Sequence, residues 1–219
     1  MRSRRRKWTN EELTESPLIK TAPALIANKG GWREFFNSDA PIFLEIGAGK
    51  GRFACETAIA GDCSVIAFER EGKIAVYASR LARLTYASPK NLIIANANAE
   101  NLAEYFAPSE VSRIFINFCD PWEGKHKWAK KRLTYRGFLA VYAQILAKGG
   151  TIAFKTDNHF LFTFTLGEIE AQSAFVIRRI SENLHAEEYA KDLIMTEYET
   201  KFTEKGQNIY YIEAELKNF

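Results

Sequence analysis

Along this chain, apolar runs of strand length alternate with segments whose apolar residues recur at helical spacing. From Pro41, PIFLEIG reads as a buried strand bounded by a proline and a glycine, residues 51–60 as a helix, and SVIAFER as a second strand. In EGKIAVYASRLARLTYA, the positions Ile74, Tyr77, Ala78, Leu81 and Leu84 mark one helix face. NLIIANA and VSRIFINF supply the third and fourth strands, and residues 133–146 another helix closed by Gly149-Gly150. GTIAFKTD is a fifth strand, followed by a helix over residues 159–171. AFVIRRISENL and QNIYYIEAEL alternate like strands that return beside each other, with TEYETKFTEKG between them. The expected architecture is α/β and Rossmann-like: a mostly parallel sheet of about seven strands, helices on both faces, and an antiparallel pair at the far edge. Residues 1–38 read as a basic, partly flexible leader with a short helical piece over residues 18–27 ended by Gly30-Gly31; residues 39–219 form the main domain. The charged tip, Arg2 to Lys7, is expected to be mobile.

Composition narrows the possibilities. With 219 residues, 47% of them hydrophobic, the chain can build a substantial core. No apolar run approaches the roughly 20 residues that span a bilayer, and the N-terminus lacks the apolar stretch of a secretory signal. Three cysteines, Cys55, Cys63 and Cys119, show neither CxxC spacing nor a histidine cluster, so no metal site is read and a reducing cytoplasm is the expected setting. The net charge of +3 is mild, but its distribution is not. Arg2, Arg4, Arg5, Arg6 and Lys7 crowd the start, and Lys125, Lys127, Lys130, Lys131, Arg132 and Arg136 form a second block. Each block alone fits a solvated surface; two on a balanced chain favour a polyanionic partner.

Candidate chemistry gathers at the carboxyl ends of the strands, where open α/β sheets bind ligands. The first strand runs into EIGAGKG, whose alternate glycines Gly47 and Gly49 permit a tight turn and close approach of a ligand. A plain strand–helix connection would use the same residues. The third glycine of a dinucleotide fingerprint is replaced by Arg52, so no strong diphosphate cradle is indicated and a nicotinamide enzyme is disfavoured. Glu69 ends the second strand and can accept hydrogen bonds from both hydroxyls of a ribose. Glu45, just before the glycines, suits a cationic ligand. A positively charged nucleoside, S-adenosylmethionine, meets both demands. Asn98 in NANAE can read the adenine edge through its amide, or cap the next helix.

Asp120 closes the fourth strand and is held extended by Pro121, beside Trp122; a plain Asp-Pro turn is the alternative. The fifth strand ends at Lys155, Thr156, Asp157 and Asn158, placing a second acid that can also cap the following helix. EIGAGKG, FER, NANAE, CDPW with its basic run, FKTDN and TEYETKFTEKGQNIY appear in this order over almost the whole chain. Together they resemble the bacterial tRNA (guanine-46-N7)-methyltransferase family. The resemblance implies a class I S-adenosylmethionine-dependent methyltransferase fold and a guanine of the tRNA variable loop as target. Carried over by motif, Glu45, Glu69, Asn98 and Asp120 contact the cofactor, with Asp120 also the catalytic residue. Lys125, Asp157, Thr196, Glu197, Tyr198 and Glu199 contact the RNA. The family follows its DPW with proline, two basic residues and Arg-His; here Glu123 to Trp128 make the segment one residue longer, which leaves Lys125 and Lys127 as alternatives for the substrate lysine.

Guanine N7 carries an exposed lone pair and no proton, so methylation needs alignment and stabilisation of positive charge arriving on the purine. Acids at the centre handle the base; the surrounding lysines and arginines hold phosphates. Trp122, Trp128 or Tyr198 can stack on a splayed base, Trp128 being equally suited to the core. His126, His159 and His185 show no partner pattern. Rival readings are a methyltransferase acting on another RNA, a small molecule or a protein, and a non-enzymatic tRNA-binding protein with a degenerate fold. Whether the chain is a monomer or a homodimer stays open.

Overall fold

The computed structural model describes residues 7–217, which fall into two compact units, Met1–Phe106 and Ala107–Phe219. Of the tip expected to be mobile, all but Lys7 lies outside the described residues.

The first unit is built on four parallel strands in the order β1-β4-β3-β2: β1 (Ile19–Thr21), β2 (Ile42–Ile46), β3 (Ser64–Phe68) and β4 (Leu92–Asn96). β2, β3 and β4 are almost uninterrupted buried runs, as a parallel sheet covered on both faces requires. One face packs on α4 (Arg52–Ala60) and α5 (Gly72–Leu84) through small buried residues, among them Ala54, Ala58, Ala75, Ala78 and Ala82. The other carries an aromatic cluster in which Trp32 lies 5.8 Å from Phe106, and Phe68 stacks at 5.9 Å on Tyr105. Trp32 is fully buried, and its indole N–H donates to the Tyr105 carbonyl at 3.0 Å. Helices α2 (Ala22–Ala27), α3 (Trp32–Phe36) and α6 (Leu102–Tyr105) complete the unit. Within the leader, α1 (Lys7–Glu15) docks on α5: Glu12 pairs with Arg80, and the Ser16 and Ser79 hydroxyls meet at 2.7 Å.

One leader expectation needs correction. Residues 18–27 do not form one helix: Ile19–Thr21 is a strand paired in parallel with β4, and the helix begins only at Ala22. Pro23 explains the break: it is tolerated in the first helical turn, but a helix extended back to Leu18 would need its missing N–H and would press its ring on the Ile19 carbonyl. β1 also raises the number of strands among the described residues to eight, where about seven were expected. The α/β class and the mostly parallel pairing hold.

The second unit carries β5 (Val111–Asn117), β6 (Leu146–Thr156), β7 (Phe175–Ser181) and β8 (Tyr210–Leu216) in the order β5-β6-β8-β7. β5 and β6 are parallel, whereas β8 runs antiparallel to both β6 and β7, the expected closing pair. β7 is irregular: its register with β8 shifts between Ile177 and Arg179, and Arg178 pairs with Glu215 at 2.8 Å. Helices α7 (Arg136–Ile145) and α8 (His159–Glu170) connect the strands. The helix expected over residues 133–146 starts three residues later, because Leu133 to Tyr135 run into it from a clamped segment described below. TEYETKFTEKG folds as α9 (Glu197–Thr203), entered through a capping box in which Thr196 and Glu199 satisfy each other's backbone N–H.

Candidate functional site

In the first unit, the turn after β2 is left-handed at Gly47 (φ 83°), Gly49 (φ 55°) and Gly51 (φ 83°), a conformation that favours glycine. The N–H groups of Gly47 and Ala48 both donate to the Phe68 carbonyl at 2.9 Å, which ties the turn to the end of β3. A side chain at Gly47 or Gly49 would meet nothing within 4 Å, so this backbone lies open to a ligand. Gly51 differs: a Cβ there would come within 2.8 Å of Ala78 on α5, so its lack of a side chain serves helix packing.

Glu69 faces this turn. Its carboxylate accepts hydrogen bonds from Gly49 N–H at 3.1 Å and Glu71 N–H at 2.8 Å, bracing the glycine turn from the neighbouring strand end. Burial raises its pKa above the usual carboxylate value, and the two N–H donors only partly offset that. Asn96 fixes the same loop by donating to the carbonyls of Glu69 at 2.9 Å and Arg70 at 3.1 Å. Glu45 lies buried on β2. Burial pushes the Cys55 thiol up to about 12, with the charges of Glu45 and Glu56 adding to the shift, so that cysteine is inert. Asn98 is exposed, and its side-chain oxygen accepts from Glu100 N–H at 3.1 Å, the capping alternative. The open glycine turn beside a half-buried carboxylate fits the sugar of a nucleoside.

In the second unit, Asp120 does not close a strand. β5 ends at Asn117, and Asp120 lies exposed three residues further on, in a loop where Phe118 (φ 51°) and Trp122 (φ 46°) are both left-handed. Such a conformation costs a bulky residue about 1–3 kcal/mol and persists only when the surroundings impose it. Several contacts do so. Phe118 N–H donates to the Lys155 carbonyl at 2.9 Å. Glu123 accepts from the Asn158 amide at 2.6 Å, joining the loop to the end of β6. Arg132 donates through Nε to the Pro121 carbonyl at 2.8 Å and through Nη2 to the Trp122 carbonyl at 2.9 Å. Asp157 is exposed beyond β6, and the cap of α8 is its neighbour Asn158, which accepts from Leu161 N–H at 2.8 Å.

The substrate motif Thr196–Glu199 splits into an exposed and a buried part. Tyr198 is 56% exposed, with its ring 5.8 Å from Phe118, so α9 meets the Asp120 loop. Glu197 pairs with Lys201 at 2.6 Å. Glu199 is fully buried: Lys155 Nζ lies 2.9 Å from Oε2, His185 Nε2 3.2 Å from Oε1, and Thr196 N–H donates to Oε2 at 3.1 Å. Lys155 also donates to the Ile194 carbonyl at 3.0 Å, and burial lowers its pKa against the pull of Glu199. Removing one member of such a buried pair costs about 3–5 kcal/mol, because the other is left charged and unsolvated. As placed, Glu199 orders the segment that presents Tyr198.

The basic block is likewise divided. Lys125, Lys127, Lys130 and Lys131 are exposed on or beside a 3-10 segment, His126–Lys131. Lys125 lies 5.5 Å from the Trp128 ring and Lys131 4.4 Å from Trp122, while the two indoles meet edge-to-face at 6.3 Å. Arg132 is buried, and Arg136 grips Glu168 of α8. Sequence reading put Arg132 among the phosphate-holding cations, named Lys155 only as part of a strand end and gave His185 no partner; it foresaw neither the clamp on the Asp120 loop nor the cluster around Glu199. Only the Thr-x-x-Glu capping box was a legible signal for the network around Glu199.

A family profile described as a putative methyltransferase matches residues 39–212. The tRNA (guanine-N(7)-)-methyltransferase of Geobacillus kaustophilus is 41% identical over 98% of this chain and 96% of its own length. That of Clostridioides difficile is 38% identical with both chains fully covered. Among solved structures, the 16S rRNA methyltransferase KamB aligns with a TM-score of 0.61 at 11% identity, covering 86% of this chain and 94% of that one. The antibiotic-resistance methyltransferase Kmr aligns at 0.59 and 15%, covering 85% and 92%. At such identities the likeness is one of fold: the mixed α/β fold of class I methyltransferases. Among the described residues, no helix is long and apolar enough to cross a membrane.

Proposed function

This chain belongs to the tRNA (guanine-N(7)-)-methyltransferase family, and we propose from that premise that it methylates N7 of a guanine in tRNA, guanine 46 of the variable loop. Bound S-adenosylmethionine would supply an electrophilic methyl group on a sulfonium. Glu69 binds the ribose while bracing the turn, Gly47 and Gly49 leave room for the ligand, and Glu45 contributes negative charge near the end of β2. Asn98, already a cap through its oxygen, keeps its amide N–H groups for the adenine edge. No residue has to remove a proton, because N7 presents a free lone pair. Asp120 acts by orienting the reactants and stabilising the positive charge that reaches the purine. Asp157 accepts from the base's N–H edge, Tyr198 offers a stacking face, and Lys125 or Lys127 holds a phosphate. Thr196 and Glu199 hold Tyr198 and Glu197 in place.

One structural observation supports this reading beyond kinship: the Thr-x-Tyr-Glu segment and the Asp-Pro-Trp loop, distant in sequence, meet through Tyr198 and Phe118. The test is methyl incorporation from labelled cofactor into unmodified tRNA, with chemical cleavage locating the modified guanine; tight tRNA binding without transfer refutes it. Asp120→Asn is expected to lower kcat by about 10²–10³-fold with tRNA affinity nearly intact. Equal loss of both would make Asp120 a structural residue.

A further inference from the structure

Arg132 belongs by sequence to the basic block and would be counted as a phosphate ligand. Its surroundings give it different work. The side chain is 5% exposed, the only member of that block to be buried among the described side chains. Its guanidinium is sandwiched against two rings of α8, 4.8 Å from the centre of Phe160 and 4.3 Å from Phe164. Two of its N–H groups end on the carbonyls of Pro121 and Trp122, the two residues that follow Asp120. Trp122 is itself left-handed, so this pair of bonds fixes a backbone conformation that a tryptophan does not adopt by preference. The charge is balanced from two sides: Glu123 on the loop and Glu168 on α8 both favour the cationic form against burial.

We propose that Arg132 is a positioning residue, which locks the Asp-Pro-Trp loop so that Asp120 is presented in one orientation, and that it takes no part in binding phosphate. This rests on the catalytic role given to Asp120 above. Arginine suits the task because its planar fork can reach two carbonyls at once, whereas lysine offers a point charge at the end of a flexible stem. A lysine in its place keeps the charge and loses the lock.

The test compares Arg132→Lys with the unaltered protein in three measurements. Amide hydrogen exchange of the tRNA-free protein over residues 119–124 should speed up, since the loop loses its two anchors. The kcat should fall by about 10–100-fold, the scale expected when a reacting group is displaced by about an ångström. The slope of log K for tRNA against log salt should not move. Phe164→Leu, which removes one of the stacked rings, should give the same pattern in smaller measure and serves if the lysine variant folds poorly. A salt slope that drops by about 0.7–0.9 in Arg132→Gln but not in Arg132→Lys would make Arg132 a phosphate ligand and overturn the proposal. Unchanged exchange would overturn it as well, as would an unchanged kcat with a loosened loop. Should the unaltered protein transfer no methyl group, the functional reading fails, and the exchange measurement still decides whether Arg132 holds the loop.

Discussion

A single carboxylate, that of Glu69, accepts two backbone N–H groups and so couples the shape of the glycine turn to the place where a ribose would bind. Glu69→Gln keeps the size but replaces one acceptor with a donor facing N–H groups. Cofactor affinity measured by calorimetry is expected to weaken by about 10–100-fold, the worth of one or two charged hydrogen bonds, with tRNA affinity unchanged. Burial raises the pKa of this carboxyl above the usual 4.5, so it takes up its proton earlier than a solvated glutamate as the medium is acidified. Cofactor affinity should therefore begin to fall at a pH above that of an ordinary glutamate. Glu69 was legible as a candidate acid beside the glycine turn because it follows a strand at a typical distance from the glycines. Its bracing role was not, for no spacing rule says which N–H groups a carboxylate will find. Arg132 shows the same limit from the other side: one arginine within a run of cations carries no mark of being the buried one.

Between elements, the second unit relies on polar staples. Glu168 of α8 accepts from the Arg136 backbone N–H at 2.6 Å and from its guanidinium at 2.7 Å, and so serves as a cap for α7 supplied by another helix. The Arg136 guanidinium holds the Glu168 carboxyl below its usual 4.5. Its stabilisation is complete above that unfolded value and is lost as pH falls through the lower folded one. Glu168→Gln should lower Tm by about 2–4 °C at neutral pH, with the difference from the unaltered protein vanishing in strong acid, as thermal melts across pH would show. The buried strands and the existence of α5 were readable from periodicity, but the buried face of α5 was not: Tyr77 and Leu84, expected on it, are exposed, and the small residues Ala75, Val76, Ala78, Ser79 and Ala82 pack inward instead. The three-residue β1 was not, since so short a segment owes its state to the β4 edge beside it. α9 carried its own signal in the capping box, yet it sits between two strands whose return suggested a simple connection.

For the whole molecule, a net charge of +3 conceals a division of labour among its cations. Arg132 is buried and Arg136, though exposed, is committed to Glu168, whereas Lys127 and Lys130 are exposed. Lys127→Ala and Lys130→Ala are each expected to weaken tRNA binding and to reduce the salt slope by about 0.7–0.9 with kcat retained, as titrations at several ionic strengths would show. A slope that does not change would place the phosphate track elsewhere.

The outer strand β7 has one further consequence. Its register break and the Arg178–Glu215 pair leave an uneven, charged border where a flat row of backbone groups would invite another chain. A second copy approaching that border would meet a bent strand lined with charge rather than a straight ladder, so crowded samples should resist ribbon-like stacking through β7.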